Sequence, residues 1–517
     1  MLSDTITPMK KVYLFIFSLL ALTAAHAQTI DRSKFIKDSL DMYINRAITN
    51  WRIPGAAVCI VKDGKIVLMK GYGTKELGIM SKVDENTLFM IGSNTKAFTA
   101  TALAMLQAEK KISLDEKVTK YIPEFKLDNK LAGEQAIVKD LLSHRLGFRT
   151  FEGDFTFYNT NLARHDVIAK LGQMKAIYPF RTTWGYTNSA FLTAGEIIPR
   201  VTGKPWEIYL KENLFAPLGM NNTLALSADM PKALNRTVAH TLVDGRLTAI
   251  PYANLDGLAP AGSISSSISD MSKWVMALLN DGKVGNRQVI PLAAINATRQ
   301  AQDIVGNVQH LNGETNYQLY GLGWFIQDYA GHRLIMHDGG VNGYVSSVTL
   351  VPKDNLGIVI LTNTDQNSLY DALRWEIMDA YFKMKYMNYS DAYLNINKNQ
   401  VNSQLAADQK KRDTIATLPK PMLSLAKYQG KYVNDFYGSL TITEGENNQL
   451  EIRFEHHPKM FARLQALGGN RFYATFSDPT YGKGVFPFFV QNGNVTGLRV
   501  KVANFVEMDP YDFKKVQ

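Results

Sequence analysis

The run Phe89-Met90-Ile91-Gly92-Ser93-Asn94-Thr95-Lys96, continuing as Ala97-Phe98-Thr99-Ala100-Thr101-Ala102-Leu103-Ala104-Met105-Leu106, reads as a glycine-led entry into an apolar helix. Ser93 falls in its first turn, and Lys96 stands one turn along on the same face. A serine hydroxyl attacks poorly until a neighbour takes its proton, and an amine at this spacing can accept or relay that proton. The helix start also directs N–H groups and a partial positive charge at an oxyanion formed beside Ser93. Spacing alone does not single the pair out, because Ser424-Leu425-Ala426-Lys427 repeats it. Partners elsewhere in the chain must distinguish the two.

Upstream of this run, apolar residues at Phe35/Ile36, Leu40, Tyr43/Ile44 and Ala47/Ile48 mark an amphipathic helix over Ser33 to Thr49. Ala56 to Val61 and Ile66 to Tyr72, joined by Lys62-Asp63-Gly64-Lys65, form a hairpin. Downstream, from Asp115 to Pro260, the pattern is helical and loop-rich, with helices expected at Val138–Ser143, Asp166–Met174, Ala190–Val201 and Trp206–Leu214. Asp270 is expected to cap a helix ending at Leu279. Strands return at Arg333–His337, Tyr344–Val351 and Leu356–Thr362, followed by a closing helix from Ser368 to Phe382. Two early and three late strands predict an α+β fold: one antiparallel sheet flanked by helices and interrupted by an all-helical subdomain.

A chain of 517 residues implies more than one domain. Met9-Lys10-Lys11, the apolar run Val12 to Ala25 and Ala25-His26-Ala27 have the order of a secretory signal, assigned to residues 1–27, with either Met1 or Met9 as the start. The unit containing this sheet would then span 28–386. Residues 387–421, polar and ending in Pro419-Lys420-Pro421, read as a linker, and 422–517 as a small β-barrel. The expected location is secreted or periplasmic, with no stable membrane span after cleavage. The net charge of +10 carries no Lys/Arg runs, which argues against nucleic acid as a partner. The single cysteine, Cys59, lies in an apolar run and reads as a buried thiol. No His/Cys cluster has metal-ligand spacing, so neither metal nor cofactor is expected, and the partner is a small molecule or peptide. Oligomeric state is left open.

Two further elements can complete the chemistry around Ser93. Tyr186-Thr187-Asn188 sets a phenol and an amide two residues apart; beside an ammonium, the phenol could ionise below its usual pKa of about 10 and act as base. Tyr-x-Asn also occurs at Tyr43, Tyr252, Tyr386, Tyr393 and Tyr432, where a packing tyrosine near a turn is the plainer reading. His337-Asp338-Gly339-Gly340 ends a strand. Its glycines let backbone approach a ligand, the Gly340 N–H can pair with that of Ser93 as an oxyanion hole, and His337 can carry a charge toward a substrate carboxylate. A strand-ending turn with a surface histidine is the alternative for this stretch.

The order of these elements resembles the serine β-lactamase and penicillin-binding protein superfamily, in its branch of class C β-lactamases, D-Ala-D-Ala carboxypeptidases and esterases. Ile53-Pro54-Gly55-Ala56-Ala57, Asp140-Leu141-Leu142-Ser143-His144, Leu218-Gly219-Met220 and Tyr320-Gly321-Leu322-Gly323-Trp324 look like recurring phrases of that family. The tail resembles the lipocalin-like barrel appended to such hydrolases. The resemblance implies an acyl-enzyme at Ser93, with Lys96 and Tyr186 managing its proton. Asn188, His337, Gly339 and Gly340 would line the substrate site. His337 stands where β-lactamases of this branch carry lysine, which moves the expected activity toward peptidase or esterase. If His337 must be protonated, activity on anionic substrates should fall above pH about 6.5. Lys110 stands where the family usually ends the Ser93 helix with glycine, which implies a left-handed lysine costing about 1 kcal/mol. The alternative function is a binding protein or sensor that is acylated without efficient turnover.

Overall fold

The computed structural model describes residues 33–516, so the segment read as an export signal lies outside the described residues. Eight strands build one antiparallel sheet: β1 (Gly55–Lys62), β2 (Lys65–Gly73), β3 (Asp303–Gln309), β4 (Thr315–Tyr320), β5 (Phe325–Tyr329), β6 (His332–Val341), β7 (Tyr344–Val351) and β8 (Leu356–Thr362). They lie in the order β2-β1-β8-β7-β6-β5-β4-β3, so β1 pairs with β8 and the early and late parts of the chain share one sheet.

Both faces of the central strands are covered, and strand alternation divides their side chains between two cores. Ala56, Val58 and Ile60 point to one core, with Leu40 and Ile44 from α1 (Leu40–Asn50). Ala57, Cys59 and Val61 point to the other, which contains α2 (Thr95–Ala108), α3 (Asn188–Gly195) and α4 (Ile268–Leu279). α4 approaches β8 so closely that a Cβ at Gly357 would lie 2.2 Å from Val275 Cγ1, which admits only glycine there. α5 (Leu369–Phe382) closes the first core with Leu373 and Ile377.

Three strands go beyond the five expected. Asp303–Gln309 and Thr315–Tyr320 alternate half-buried and exposed residues at the sheet edge and carry no apolar run, so period-2 reading passes over them. The cap of α4 is Ser267, whose hydroxyl accepts the Asp270 N–H at 3.2 Å, and not Asp270, which lies inside the first turn. Residues 387–421, read as linker, are mostly α6 (Tyr389–Ala416), a helix of 28 residues. Its Tyr389, Ser390 and Leu394 are buried at one end and Asp408 further along, and elsewhere spaced side-chain pairs such as Gln409–Asp413 suit a largely exposed helix. Lys110 does adopt a left-handed φ of 59° just after α2.

The C-terminal strands β9 (Gly430–Asn434), β10 (Gly438–Glu444), β11 (Leu450–Phe454), β12 (Phe461–Ala466), β13 (Arg471–Phe476), β14 (Lys483–Gln491), β15 (Asn494–Val500) and β16 (Tyr511–Lys515) close into a barrel. Full closure leaves this sheet without an open edge. Among the described residues no helix is long and apolar enough to cross a membrane.

Candidate active site

Ser93 occupies a single 3-10 turn, Gly92–Asn94, that feeds directly into α2. Two glycines let β6 close on this turn. A Cβ at Gly339 would stand 1.9 Å from the Ile91 carbonyl oxygen, and one at Gly92 would stand 2.9 Å from the Gly340 nitrogen. The turn is pinned further by β7, where Ser346 Oγ donates to the Ile91 oxygen at 2.7 Å and accepts from Asn94 Nδ2 at 2.8 Å. The Gly340 backbone is thereby held beside Ser93, as an oxyanion hole requires.

Lys96 is fully buried, one turn into α2. Its Nζ lies 2.7 Å from Asn188 Oδ1, 2.8 Å from the Ala261 carbonyl oxygen and 3.2 Å from Ser93 Oγ. Burial pushes the Lys96 amine down to about 7, although the Asp154 carboxylate opposes the fall. A neutral amine has two N–H groups and one lone pair. The amide and carbonyl oxygens can only accept, so they engage both N–H groups and leave the lone pair for the Ser93 hydroxyl.

Tyr186, in the loop before α3, is buried with its ring centre 4.6 Å from Lys96 Nζ, and its hydroxyl bonds to Ser93. The sequence suggested an ionised Tyr186, but burial raises the phenol above its ordinary value despite the Ser93 hydrogen bond. Lys96, and not Tyr186, is therefore the group poised to accept a proton. Asn188 opens α3, and its Nδ2 donates to Asp154 Oδ2 at 2.5 Å. With Oδ1 facing Lys96 and Nδ2 facing Asp154, the amide has one consistent orientation. Asp154 is buried, its Oδ1 has no hydrogen-bond partner among the described residues, and burial lifts its carboxyl to about 7.

His337 differs from expectation in its charge. It is 2% exposed, and its Nδ1 stands 2.6 Å from the Asp338 carbonyl oxygen, which can only accept, so Nδ1 bears the hydrogen. Nε2 is then free to accept from the Tyr320 hydroxyl at 3.1 Å. Burial and the nearby Lys96 push this imidazole down to about 4, so it is neutral at physiological pH. The fall of activity above pH 6.5 expected from a protonated His337 has no basis in this geometry.

Sequence reasoning gave no role to Asp154, His144 or Tyr320. His144 Nδ1 accepts the Thr187 N–H at 3.0 Å, and its ring stacks 4.4 Å from that of Tyr186, so it props the Tyr186–Asn188 loop. Both His144 and Tyr320 lie in phrases quoted for the resemblance; Asp154 belongs to no motif, and only the fold brings it to Asn188. Among the described residues no group of three or more His, Cys, Asp and Glu side chains is placed to hold a metal ion.

The family model described as "Beta-lactamase" matches residues 40–382, and one described as "Domain of unknown function (DUF3471)" matches residues 416–515. The unguisins hydrolase ungD' of Aspergillus campestris is 29% identical over 426 residues, covering 79% of this chain and 78% of that protein. Protein flp of Staphylococcus aureus is 27% identical over 329 residues, 63% of each chain. Among solved structures, the octameric penicillin-binding protein homologue from Pyrococcus abyssi superposes with a TM-score of 0.59 at 20% identity, over 92% of this chain and 99% of that one. A D-stereospecific amidohydrolase from Streptomyces sp. superposes with a TM-score of 0.50 at 21% identity, over 63% and 93%. These structural likenesses concern the fold.

Proposed function

This chain belongs to the beta-lactamase family, and from that premise we propose that it is a serine hydrolase working through an acyl-enzyme at Ser93 on esters or amides whose leaving group carries no essential carboxylate. The observation that carries the reading is the Lys96 amine, buried and facing Ser93 with its N–H groups already engaged. Ser93 Oγ attacks the substrate carbonyl carbon as its proton passes to Lys96 Nζ. The N–H groups of Ser93 and Gly340 hold the oxyanion. The carbonyl–heteroatom bond then breaks. The leaving group takes the Tyr186 hydroxyl proton, which the Lys96 ammonium replaces. Water enters by the same relay in reverse and frees Ser93.

The neutral, doubly bonded His337 favours an uncharged leaving group, because the position holds no cation to pair with a carboxylate. Short acyl esters and internal or blocked peptide amides therefore rank above β-lactams and free D-Ala-D-Ala termini. A panel of p-nitrophenyl esters, blocked D-amino-acid amides, a D-Ala-D-Ala peptide and a β-lactam, run on wild type and Ser93→Ala, tests this. The expected result is turnover of neutral substrates that Ser93→Ala abolishes. Full activity in Ser93→Ala overturns the mechanism, stable acylation without turnover favours a binding protein, and preference for the free D-Ala-D-Ala terminus overturns the substrate class. With residues 1–27 as a cleaved signal the enzyme would work outside the cytoplasm, and the exported chain would begin at Gln28; an intact N-terminus would remove that reading.

A further inference from the structure

The hydrolase domain and the barrel meet at several places, among them Lys170 with Phe436, Tyr158 with Tyr481 and Asp244 with Lys483, and one contact segment is part of the site. Phe155 is 2% exposed, and its ring lies in the barrel core, 4.8 Å from His457, 5.3 Å from Phe454, 5.4 Å from Tyr511 and 5.8 Å from Tyr481. His457 Nε2 stands 2.7 Å from the Phe155 carbonyl oxygen. The preceding residue, Asp154, turns its side chain the other way, to Asn188.

Glu507, in the crossing between β15 and β16, is 1% exposed. Its Oε1 accepts the Gly153 N–H at 2.9 Å, and its Oε2 accepts the Phe155 N–H at 3.1 Å. The Tyr437 hydroxyl also donates to Oε1. One barrel carboxylate thus grips the peptide on both sides of Asp154. All three partners are donors, and an acceptor-only group satisfies them where a glutamine would turn an N–H toward one of them. Burial lifts the Glu507 carboxyl to about 8 against the pull of the bonds from Tyr437, Gly153 and Phe155, which favour its ionised, acceptor-only form.

We propose that Glu507 is a positioning residue for the hydrolytic site: by fixing the N–H groups of Gly153 and Phe155, the barrel aims the Asp154 carboxylate at Asn188 and so sets the amide oxygen that orients Lys96. The barrel is then a working part of the catalytic unit. This rests on the serine-hydrolase reading above.

The test measures kcat and KM on p-nitrophenyl acetate for Glu507→Gln, Asp154→Asn, the double variant and Ser93→Ala, with thermal melts of each. Glu507→Gln should lower kcat by about tenfold and leave KM within about twofold, because the interaction lost orients catalytic groups and does not hold substrate. The double variant should be no slower than Asp154→Asn, since Glu507 acts through Asp154. A kcat within about twofold of wild type, or losses that multiply in the double variant, overturns the proposal. If Glu507→Gln does not fold, Tyr437→Phe removes a single donor to Glu507; it should lower kcat by about threefold on wild type and not on Asp154→Asn, and an unchanged kcat overturns the proposal. An inactive Ser93→Ala beside a fully active Glu507→Gln removes the positioning role alone. A fully active Ser93→Ala removes the serine-hydrolase reading beneath it.

Discussion

Ser93-x-x-Lys96 and Ser424-x-x-Lys427 have the same spacing in the same chain and entirely different surroundings. The first lies at the start of a buried helix of 14 residues, with Lys96 hidden from solvent and held by an amide and a carbonyl oxygen. The second sits at a helix of 4 residues beside the barrel, where Ser424 and Lys427 are exposed and Lys427 Nζ lies 3.4 Å from Asn494 Oδ1. Removal of a lysine from water makes its neutral amine accessible. The difference teaches that the fold around the pair, more than the pair, makes a nucleophile.

Substitutions can break or sharpen this contrast. Lys96→Ala should cost at least about a thousandfold in kcat/KM on an ester the enzyme cleaves, in line with loss of a group that acts together with its nucleophile, while Lys427→Ala changes nothing. Comparable losses in both variants, measured by steady-state kinetics, would erase the distinction. Asp154→Asn should lower kcat by about tenfold and move the rising limb of the pH–rate profile to lower pH. The sign follows from charge: Asp154 opposes the depression of Lys96, so removing its carboxylate lets the amine lose its proton at lower pH. A limb that moves upward would contradict the coupling.

Phe155→Ala tests whether the barrel and the site form one unit. Emptying an aromatic seat in a packed core costs about 3–5 kcal/mol, and here both stability and ester hydrolysis should fall. A destabilised variant with full kcat would separate the barrel from the chemistry. At the small end, Ser424→Ala should leave melting temperature and rate unchanged within error, as expected for an exposed surface position.

The sequence carried the parts of this molecule that are local or periodic. β7 and β8 were legible to the residue because they are rich in β-branched and apolar residues with the Pro352-Lys353-Asp354-Asn355 turn between them, and the entry at Gly92 announces α2. The edge strand β3 and its neighbour β4 escaped because half-exposed strands carry little apolar signal, and α6 escaped because a mostly solvated helix looks like linker. Of the candidate site, Ser93, Lys96, Tyr186 and Asn188 come together within direct contact, with Gly340 alongside. The charge states of Lys96, Tyr186 and His337 were not legible, since burial sets them and burial belongs to the fold. Asp154 and Glu507 lie 353 residues apart on elements with no shared motif, and only the docked barrel brings them together.

The most direct test of the central claim, that a buried neutral Lys96 activates Ser93, is the rate of covalent labelling by a fluorophosphonate probe as a function of pH, followed by intact-protein mass. The account predicts a single adduct on wild type, none on Ser93→Ala, no labelling of Ser424, and a rate that climbs as pH rises through about 7, because the amine becomes neutral above its own pKa. An adduct that persists in Ser93→Ala, or a labelling rate that is flat or falling through that range, would contradict it.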